Sequence, residues 1–417
     1  MANYEVVEIC AGAGGQALGL ERAGFHHRLA VELDEQAAAT LRANRDWDIA
    51  TGDVADRSVW KPEEHLEVDL LAGGVPCPPF SIAGRQLGAS DERDLFAWSV
   101  ELAATMRPRA VLLENVRGLS TNRFSAYRQR VLDRFFELGY FAEWRLLYAA
   151  DYGVPQLRPR FVLVALSPED APYFRWPQPS PTRVTVGEAL FDMMAEKKWK
   201  YARTWASLAA DVGPTIVGGS KKHGGADLGP TRAKQAWANL YVNGLGIADS
   251  PPSRLDPSPR TRAPKLTIEM VAKIQGWGGD DWSFTGRKTS KYRQIGNAFP
   301  PPVAEAVGRR IQAAFDKEGV PEISRLERAC SSHDPIYRIL RDANGPLRMD
   351  QIMARLADSE RQETVERRIA NLALDFDLNI DLTKRGTSYQ LGEFRGFVGQ
   401  DDHHRHLYLE QYRSKVS

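Results

Sequence analysis

The chain has 417 residues, which exceeds the ~150 residues of a typical domain and predicts two or three domains. Its 43% hydrophobic residues exclude disorder throughout, and a formal net charge of +1 gives no sign of a polyanionic partner. No apolar run reaches the ~20 residues of a membrane span. Three cysteines, Cys10, Cys77 and Cys330, are too few for a disulfide framework and fit a reducing compartment. We therefore expect a cytoplasmic multidomain enzyme with no membrane partner.

Short apolar runs alternate with helical patterns over the first 170 residues. The apolar runs predict strands over residues 4–10, 27–31, 68–72, 110–113 and 161–166. The amphipathic segments predict helices over residues 16–23, 36–44 and 123–138. This alternation is typical of an α/β protein with a doubly wound, mostly parallel sheet, whose ligands bind beyond the carboxyl ends of the strands.

The pattern changes at residue 176, where Pro, Gly, Trp and basic residues become frequent, and we expect a smaller irregular domain over 176–262. Helical patterns return at 265–275 and 302–315, so residues 1–175 and 263–318 are predicted to form one discontinuous domain. The final part, 320–417, has three helical patterns and a hairpin, the outline of a winged helix, over residues 334–342, 349–356, 364–376, 378–383 and 388–391.

A glycine-rich turn, Ala11 to Gly15, follows the first predicted strand and opens a helix. Glycines there permit a tight turn and a close approach of the backbone to a nucleotide-like ligand. Glu32 ends the second strand, where a carboxylate binds ribose hydroxyls in such folds, and Asp53 lies at the next strand end. Each feature taken singly is equally explained by an ordinary turn or a solvated carboxylate.

Cys77 lies in the sequence Gly-Gly-Val-Pro-Cys-Pro-Pro-Phe-Ser, directly after an apolar strand. Flanking prolines leave the loop few backbone conformations, so the sulfur is held in one direction. A structural cysteine is usually packed inside a helix or strand. The placement therefore favours a nucleophile.

Two further loops carry candidate polar groups. Glu114 follows four apolar residues, an unfavourable position for a carboxylate that has no partner or task, and it is a candidate for proton exchange with a substrate. The loop before the last predicted strand carries Gln156, Arg158 and Arg160, a set suited to an anionic or planar polar ligand. A surface cluster of ion pairs is the alternative for this loop.

Six ordered segments resemble the motifs of the C5-specific DNA cytosine methyltransferases of bacterial restriction–modification systems. They are the glycine-rich turn, the Pro-Cys-Pro-Pro loop, Glu-Asn-Val at 114–116, Gln-x-Arg-x-Arg at 156–160, and the segments 266–277 and 293–303. Together they cover about residues 4–315. Cys10 departs from the phenylalanine that is usual in the family, and the spacing before Leu95 is one residue shorter than in many relatives.

The resemblance implies the S-adenosylmethionine-dependent methyltransferase fold, S-adenosylmethionine as methyl donor and S-adenosylhomocysteine as product. It implies that Cys77 adds to C6 of a flipped-out cytosine while Glu114 contacts N3 and the exocyclic amine. Arg158 and Arg160 are then expected to hold the flipped nucleotide and orient Glu114. The implied cofactor contacts are Ala11, Gly12, Ala13, Gly14, Gly15, Glu32, Leu33, Asp53, Val54, Pro76, Asn297 and Ala298.

The resemblance also implies double-stranded DNA as partner, a monomer on DNA, and a companion restriction endonuclease that acts on the same site. No metal site is expected. Residues 176–262 correspond to the target-recognition region, and the candidate DNA contacts are Ser81, Gln156, Lys221, Lys222, Arg232 and Arg254. The charge distribution agrees, because residues 197–234 and 254–310 each carry a net charge of +6 while residues 1–72 carry −8.

Alternative functions remain open at this point. One is methylation of tRNA by the same chemistry, and another is a non-catalytic DNA-binding regulator that uses the C-terminal winged helix. A nicotinamide oxidoreductase leaves the Pro-Cys-Pro-Pro loop unexplained. In the C-terminal region, residues 364–374 could read DNA with Arg367 and Arg368 on phosphates, although Glu363 and Glu366 on the same helix weaken that reading, and dimerisation or packing are alternatives.

Overall fold

The computed structural model describes residues 3–75, 95–218, 226–278, 281–322, 334–356, 360–383 and 386–395. Within these residues, seven strands form one sheet: β1 (Tyr4–Ile9), β2 (Phe25–Glu32), β3 (Ile49–Thr51), β4 (Leu70–Gly73), β5 (Ala110–Val116), β6 (Phe141–Tyr148) and β7 (Pro159–Leu166). Their order is β3-β2-β1-β4-β5-β7-β6, and only β7 runs antiparallel to its neighbours among these strands. The prediction of a mostly parallel α/β sheet is confirmed.

The direction in which the chain adds strands reverses between β1 and β4. From β1 the chain moves outward to β2 and β3, and it then returns to place β4 on the other side of β1, followed by β5. The carboxyl ends of β1 and β4 therefore lie side by side while the connections leave them in opposite directions. Such a switch point opens a crevice, which is the usual ligand site of these sheets.

Helices cover both faces of the sheet, as expected for buried parallel strands. They are α1 (Gly15–Arg22), α2 (Glu35–Asn44), α3 (Leu95–Met106), α4 (Ser125–Glu137) and α10 (Pro301–Phe315). The helices α5 (Val186–Ala195), α6 (Ala202–Leu208), α7 (Thr231–Asn239), α8 (Ile268–Ile274) and α9 (Lys288–Asn297) share a second core. Alternate strand residues face opposite ways, so that Val7 packs with α3 and α4 while Val6 packs with α10. No helix of the described part is long and apolar enough to cross a membrane.

Residues 176–262, predicted to be irregular, contain the helices α5, α6 and α7. The Thr185 hydroxyl caps α5 by accepting a hydrogen bond from the backbone N–H of Glu188. The Glu188 carboxylate accepts a second hydrogen bond from the backbone N–H of Thr185. The short helices are held by a shared core in which Trp205 and Trp237 are fully buried. Their stability comes from tertiary packing more than from local periodicity, which explains why the sequence pattern did not reveal them.

The C-terminal part forms a small helical and sheet unit at the predicted positions. Its elements are α11 (Pro335–Arg341), β8 (Leu347–Arg348), α12 (Met349–Arg355), α13 (Gln362–Leu372), β9 (Phe376–Thr383) and β10 (Gly386–Phe394), with strand order β8-β10-β9. The unit packs on α4. Asp334 accepts the hydroxyl of Ser125 at 2.6 Å, and Tyr337 donates its hydroxyl to Asp133 at 2.9 Å.

Candidate active site

Three strand ends meet at the switch point. Gly73 of β4 pairs with Ile9 of β1 on one side and with Leu113 of β5 on the other, so the chain leaves these strands at the same level. Gly74 and Glu114 are the next residues along β4 and β5. The sequence-predicted carboxylate therefore lies at the crevice where a ligand is expected.

The glycine-rich turn is bonded directly to Glu32. Gly12, at a φ of 57°, donates its N–H to Glu32 Oε2 at 2.7 Å, and Asp34 donates its N–H to the other oxygen at 2.7 Å. Burial raises the pKa of Glu32, and these two N–H groups lower it in part. The turn and the carboxylate that the sequence associates with one ligand are thus adjacent in space.

The ends of β2 and β3 lie next to each other along the same edge of the sheet as the glycine-rich turn. Gly52 donates its N–H to the carbonyl oxygen of Glu32 at 2.9 Å, which places Asp53 beside the end of β2. Asp53 and Val54 are buried, whereas Leu33 is 39% exposed. The predicted cofactor residues of β1, β2 and β3 therefore form one continuous edge.

Ala298 and Phe299, distant in sequence, lie against the same turn. Ala298 is buried and follows the last residue of α9, Asn297, which is exposed. A Cβ atom added to Gly15 would lie 2.3 Å from Phe299 O and 2.9 Å from Ala298 Cβ. Only glycine permits this approach, which explains why the turn needs Gly15 next to the segment 297–299.

Glu114 is buried and paired with Arg160. In the antiparallel pairing of β5 with β7, Arg160 lies opposite Val116, so its side chain shares a face with Glu114. Arg160 Nε lies 2.6 Å from Glu114 Oε1, an ion pair without the alignment of a hydrogen bond. Burial raises the pKa of Glu114, and the charges of Arg160 and Arg158 lower it in part. Glu114 is consequently easier to protonate than an ordinary glutamate.

Arg158 is fully buried and binds three backbone carbonyls. Its Nη1 donates to Ile216 O at 2.8 Å, and its Nη2 donates to Gly296 O at 2.8 Å and Ala298 O at 2.6 Å. Burial lowers its pKa, but an arginine remains charged at neutral pH, so the carbonyls compensate the buried charge. Arg158 thereby joins the region after α6 to the segment that follows α9.

Gln156, predicted to contact DNA, is equally buried. Its Oε1 accepts the N–H of Ile216 at 2.7 Å, and its Nε2 donates to Gln275 Oε1 at 2.7 Å. The amide of Gln156 is therefore enclosed and already bonded. Arg232 and Arg254, the other described candidates for DNA contact, are exposed.

Several predicted site residues lie outside the described residues. They are Pro76, Cys77, Ser81, Lys221 and Lys222. Gln275, which has no predicted role, lies in the family-like segment 266–277 and donates its Nε2 to Ala298 O at 2.7 Å. Only the position of Gln275 inside that segment could have pointed to it.

A protein-family model for C-5 cytosine-specific DNA methylases matches residues 4–313. The chain belongs to this family. It is 59% identical over 422 residues to the Type II methyltransferase M.NaeI of Lentzea aerocolonigenes, with 100% of both chains covered. It is 51% identical over 321 residues to the Type II methyltransferase M.NgoMIV of Neisseria gonorrhoeae, covering 76% of this chain and 99% of that protein.

Solved structures share the methylase fold at low identity. A Spodoptera frugiperda DNMT2 mutant has a TM-score of 0.52 at 15% identity, and it covers 75% of this chain and 100% of its own. The Entamoeba histolytica methyltransferase EhMeth has a TM-score of 0.51 at 13% identity, covering 77% and 100%. The resemblance inferred from the sequence motifs is confirmed, and residues 314–417 lie outside the family model.

The substitution Arg158→Lys tests the three hydrogen bonds of Arg158 to backbone carbonyls, here called the carbonyl clamp. We expect it to lower the free energy of unfolding by roughly 2–4 kcal/mol, because one ammonium group cannot span three carbonyls and leaves buried acceptors unpaired. Urea unfolding measures this loss. The matched control is Arg183→Lys, an exposed ion pair with Asp151, which should change stability by less than about 1 kcal/mol. Equal effects at the two sites would contradict the clamp.

Proposed function

We propose that this methylase transfers a methyl group from S-adenosylmethionine to C5 of a cytosine in double-stranded DNA. We propose that its biological setting is a Type II restriction–modification system with a companion endonuclease, and the relatives M.NaeI and M.NgoMIV are both Type II methyltransferases. The observation that carries the proposal is the buried Glu114 carboxyl at the switch point, paired with Arg160 in a chain of the C-5 cytosine family. This arrangement suits the exchange of a proton between Glu114 and a nucleobase.

The residues present fit S-adenosylmethionine. A Cβ atom added to Gly74 would lie 3.6 Å from Cys10 O and 3.7 Å from Glu114 Oε2, so glycine leaves space between β1 and β5. Glu32 would hold the ribose hydroxyls and Asp53 the adenine amine, while the segment 297–298 closes on the turn. When bound, S-adenosylmethionine supplies the methyl group.

The protein's part in the chemistry is to activate C5. Cytosine C5 is a weak nucleophile, and the Cys77 thiolate would add to C6 so that C5 gains electron density. Glu114 would stabilise the ring by a hydrogen bond at N3, for which its raised pKa is suited. After methylation, loss of the C5 proton expels Cys77 and restores the ring. The cytosine must leave the duplex for these contacts.

The two arginines have different roles in this proposal. Arg160 contacts Glu114 and would orient its carboxylate toward the flipped base. Arg158 was expected to hold the nucleotide, but its terminal nitrogens are bonded to carbonyls. We therefore assign Arg158 to fixing the recognition region on the catalytic sheet.

Residues 176–262 would read the DNA target. Gln156 and Arg158 both bond to Ile216, which fixes this region relative to the site of chemistry. Arg232 and Arg254 are exposed on it, and arginine is the commonest side chain to contact guanine. The net charge of +6 over residues 197–234 supports contact with phosphates. We propose that the chain acts on DNA as a monomer.

The C-terminal unit has the element order of a winged helix, and we propose that it supports α4 without reading DNA. On α13, Arg368 Nη1 is bonded to Glu360 at 2.8 Å, so its guanidinium is already engaged. The exposed face of α13 carries Glu363 and Glu366 beside Arg367. A duplex would meet two negative charges for one positive charge there.

The substitution Glu114→Gln tests the proposed chemistry. We expect methyl transfer from labelled S-adenosylmethionine to duplex DNA to fall about 10²–10⁴-fold, because the amide cannot exchange a proton with N3. Wild-type protein should label DNA and leave tRNA unlabelled. The control Glu143→Gln changes a carboxylate that binds Trp176 Nε1 at 2.8 Å, and it should keep the wild-type rate. Labelling of tRNA, or full activity of the Glu114 variant, would overturn the proposal.

The substitution Arg367→Ala tests the role of the C-terminal unit. We expect DNA affinity and its salt dependence to stay within twofold of wild type, because this arginine makes no phosphate contact in the proposal. Arg232→Ala, in the recognition region, should weaken binding and lower the salt slope by about one unit. Fluorescence anisotropy with a labelled duplex measures both. A loss at Arg367 as large as that at Arg232 would show that the unit contacts DNA.

A further inference from the structure

Gln16 has a buried side chain with no established task. It follows the glycine-rich turn at the start of α1 and is only 3% exposed. Neither its Oε1 nor its Nε2 has a hydrogen-bond partner among the residues that the structure describes. A buried amide without partners lowers stability, so its presence calls for a ligand or another benefit.

The amide of Gln16 lies at the switch point. Its Oε1 is 3.8 Å from the position that a Cβ atom would take on Gly74. Cys10 O lies 3.6 Å and Glu114 Oε2 3.7 Å from the same position. Three oxygen acceptors, from the turn after β1, from α1 and from β5, thus lie close to Gly74.

Gln16 Oε1 and Cys10 O, which belong to the turn and helix after β1, match a primary ammonium group. An ammonium has three N–H donors and no acceptor, so it can donate to both oxygens. Gln16 Nε2 supplies a donor next to these acceptors, suited to a carboxylate. An ammonium next to a carboxylate is the pattern of an α-amino acid. S-adenosylmethionine carries such a group at one end of the molecule.

We propose that Gln16 binds the amino-acid end of S-adenosylmethionine, with Oε1 accepting from the α-ammonium and Nε2 donating to the carboxylate. This inference rests on the proposed function, which supplies the ligand. Gln16 and Cys10 O both belong to the turn whose Gly12 is bonded to Glu32, on the cofactor side of the crevice. The cytosine amine has only two donors and is already served by Glu114.

A ligand-binding role and a structural role predict opposite changes in stability. Methionine is close to glutamine in size and carries no amide, so Gln16→Met removes an unpaired buried group without leaving a large cavity. The ligand-free variant should therefore melt at or above the wild-type temperature. A glutamine that supports the fold would give a lower melting temperature instead.

The test compares two ligands by isothermal titration calorimetry. S-adenosylhomocysteine carries the amino-acid end, and 5′-methylthioadenosine lacks it. Gln16→Met should weaken S-adenosylhomocysteine binding about 10- to 100-fold, the usual size of hydrogen bonds to charged groups, and leave methylthioadenosine binding unchanged. Gln129→Met is the matched control, since Gln129 is a buried helical glutamine whose amide donates to Asp133 on α4. It should change neither affinity.

Three results would overturn the inference. The first is equal weakening of both ligands, which would assign Gln16 to the adenosine side or to the fold. The second is a lower melting temperature of the ligand-free variant. The third is unchanged S-adenosylhomocysteine binding together with lost methyl transfer, which would assign Gln16 to the base. Wild-type protein that binds no S-adenosylhomocysteine would instead contradict the proposed function itself.

Discussion

The reversal of strand order between β1 and β4 is the constraint on which the candidate site depends. It brings the carboxyl ends of two neighbouring strands to one crevice while their connections leave in opposite directions. The glycine-rich turn and Glu32 lie on one side of this crevice, Glu114 lies on the other, and Gly74 lies close to both. The proposed division into a cofactor side and a base side is consistent with this topology.

Buried charged side chains connect the catalytic sheet with distant segments of the chain. Glu114 and Arg160 compensate each other, and Arg158 is compensated by carbonyls on two distant segments. Removing such a charge from water is unfavourable unless its partners stay in place, so each guanidinium holds its partners at fixed positions. The region proposed to read DNA is thereby held in register with the proposed site of methyl transfer.

Local patterns predicted the sheet and the strand-end residues, because apolar runs and glycine turns act over a few residues. The same patterns did not show the hydrogen bonds of Arg158, because its partner at Ile216 lies 58 residues away and that at Gly296 lies 138 residues away. The helices between 176 and 262 were missed because tryptophan packing stabilises them. Gln16 was overlooked because only the structure shows that its amide is enclosed and unpaired.

The proposed methyl transfer requires the Cys77 thiolate to attack C6 of cytosine. Mass spectrometry of the protein after incubation with S-adenosylmethionine and a duplex containing 5-fluorocytosine detects this attack, because fluorine at C5 cannot leave as a proton does. We expect a stable methylated adduct on the peptide that carries Cys77. An adduct on Cys10 or Cys330, or no adduct on a duplex that contains the target sequence, would contradict it.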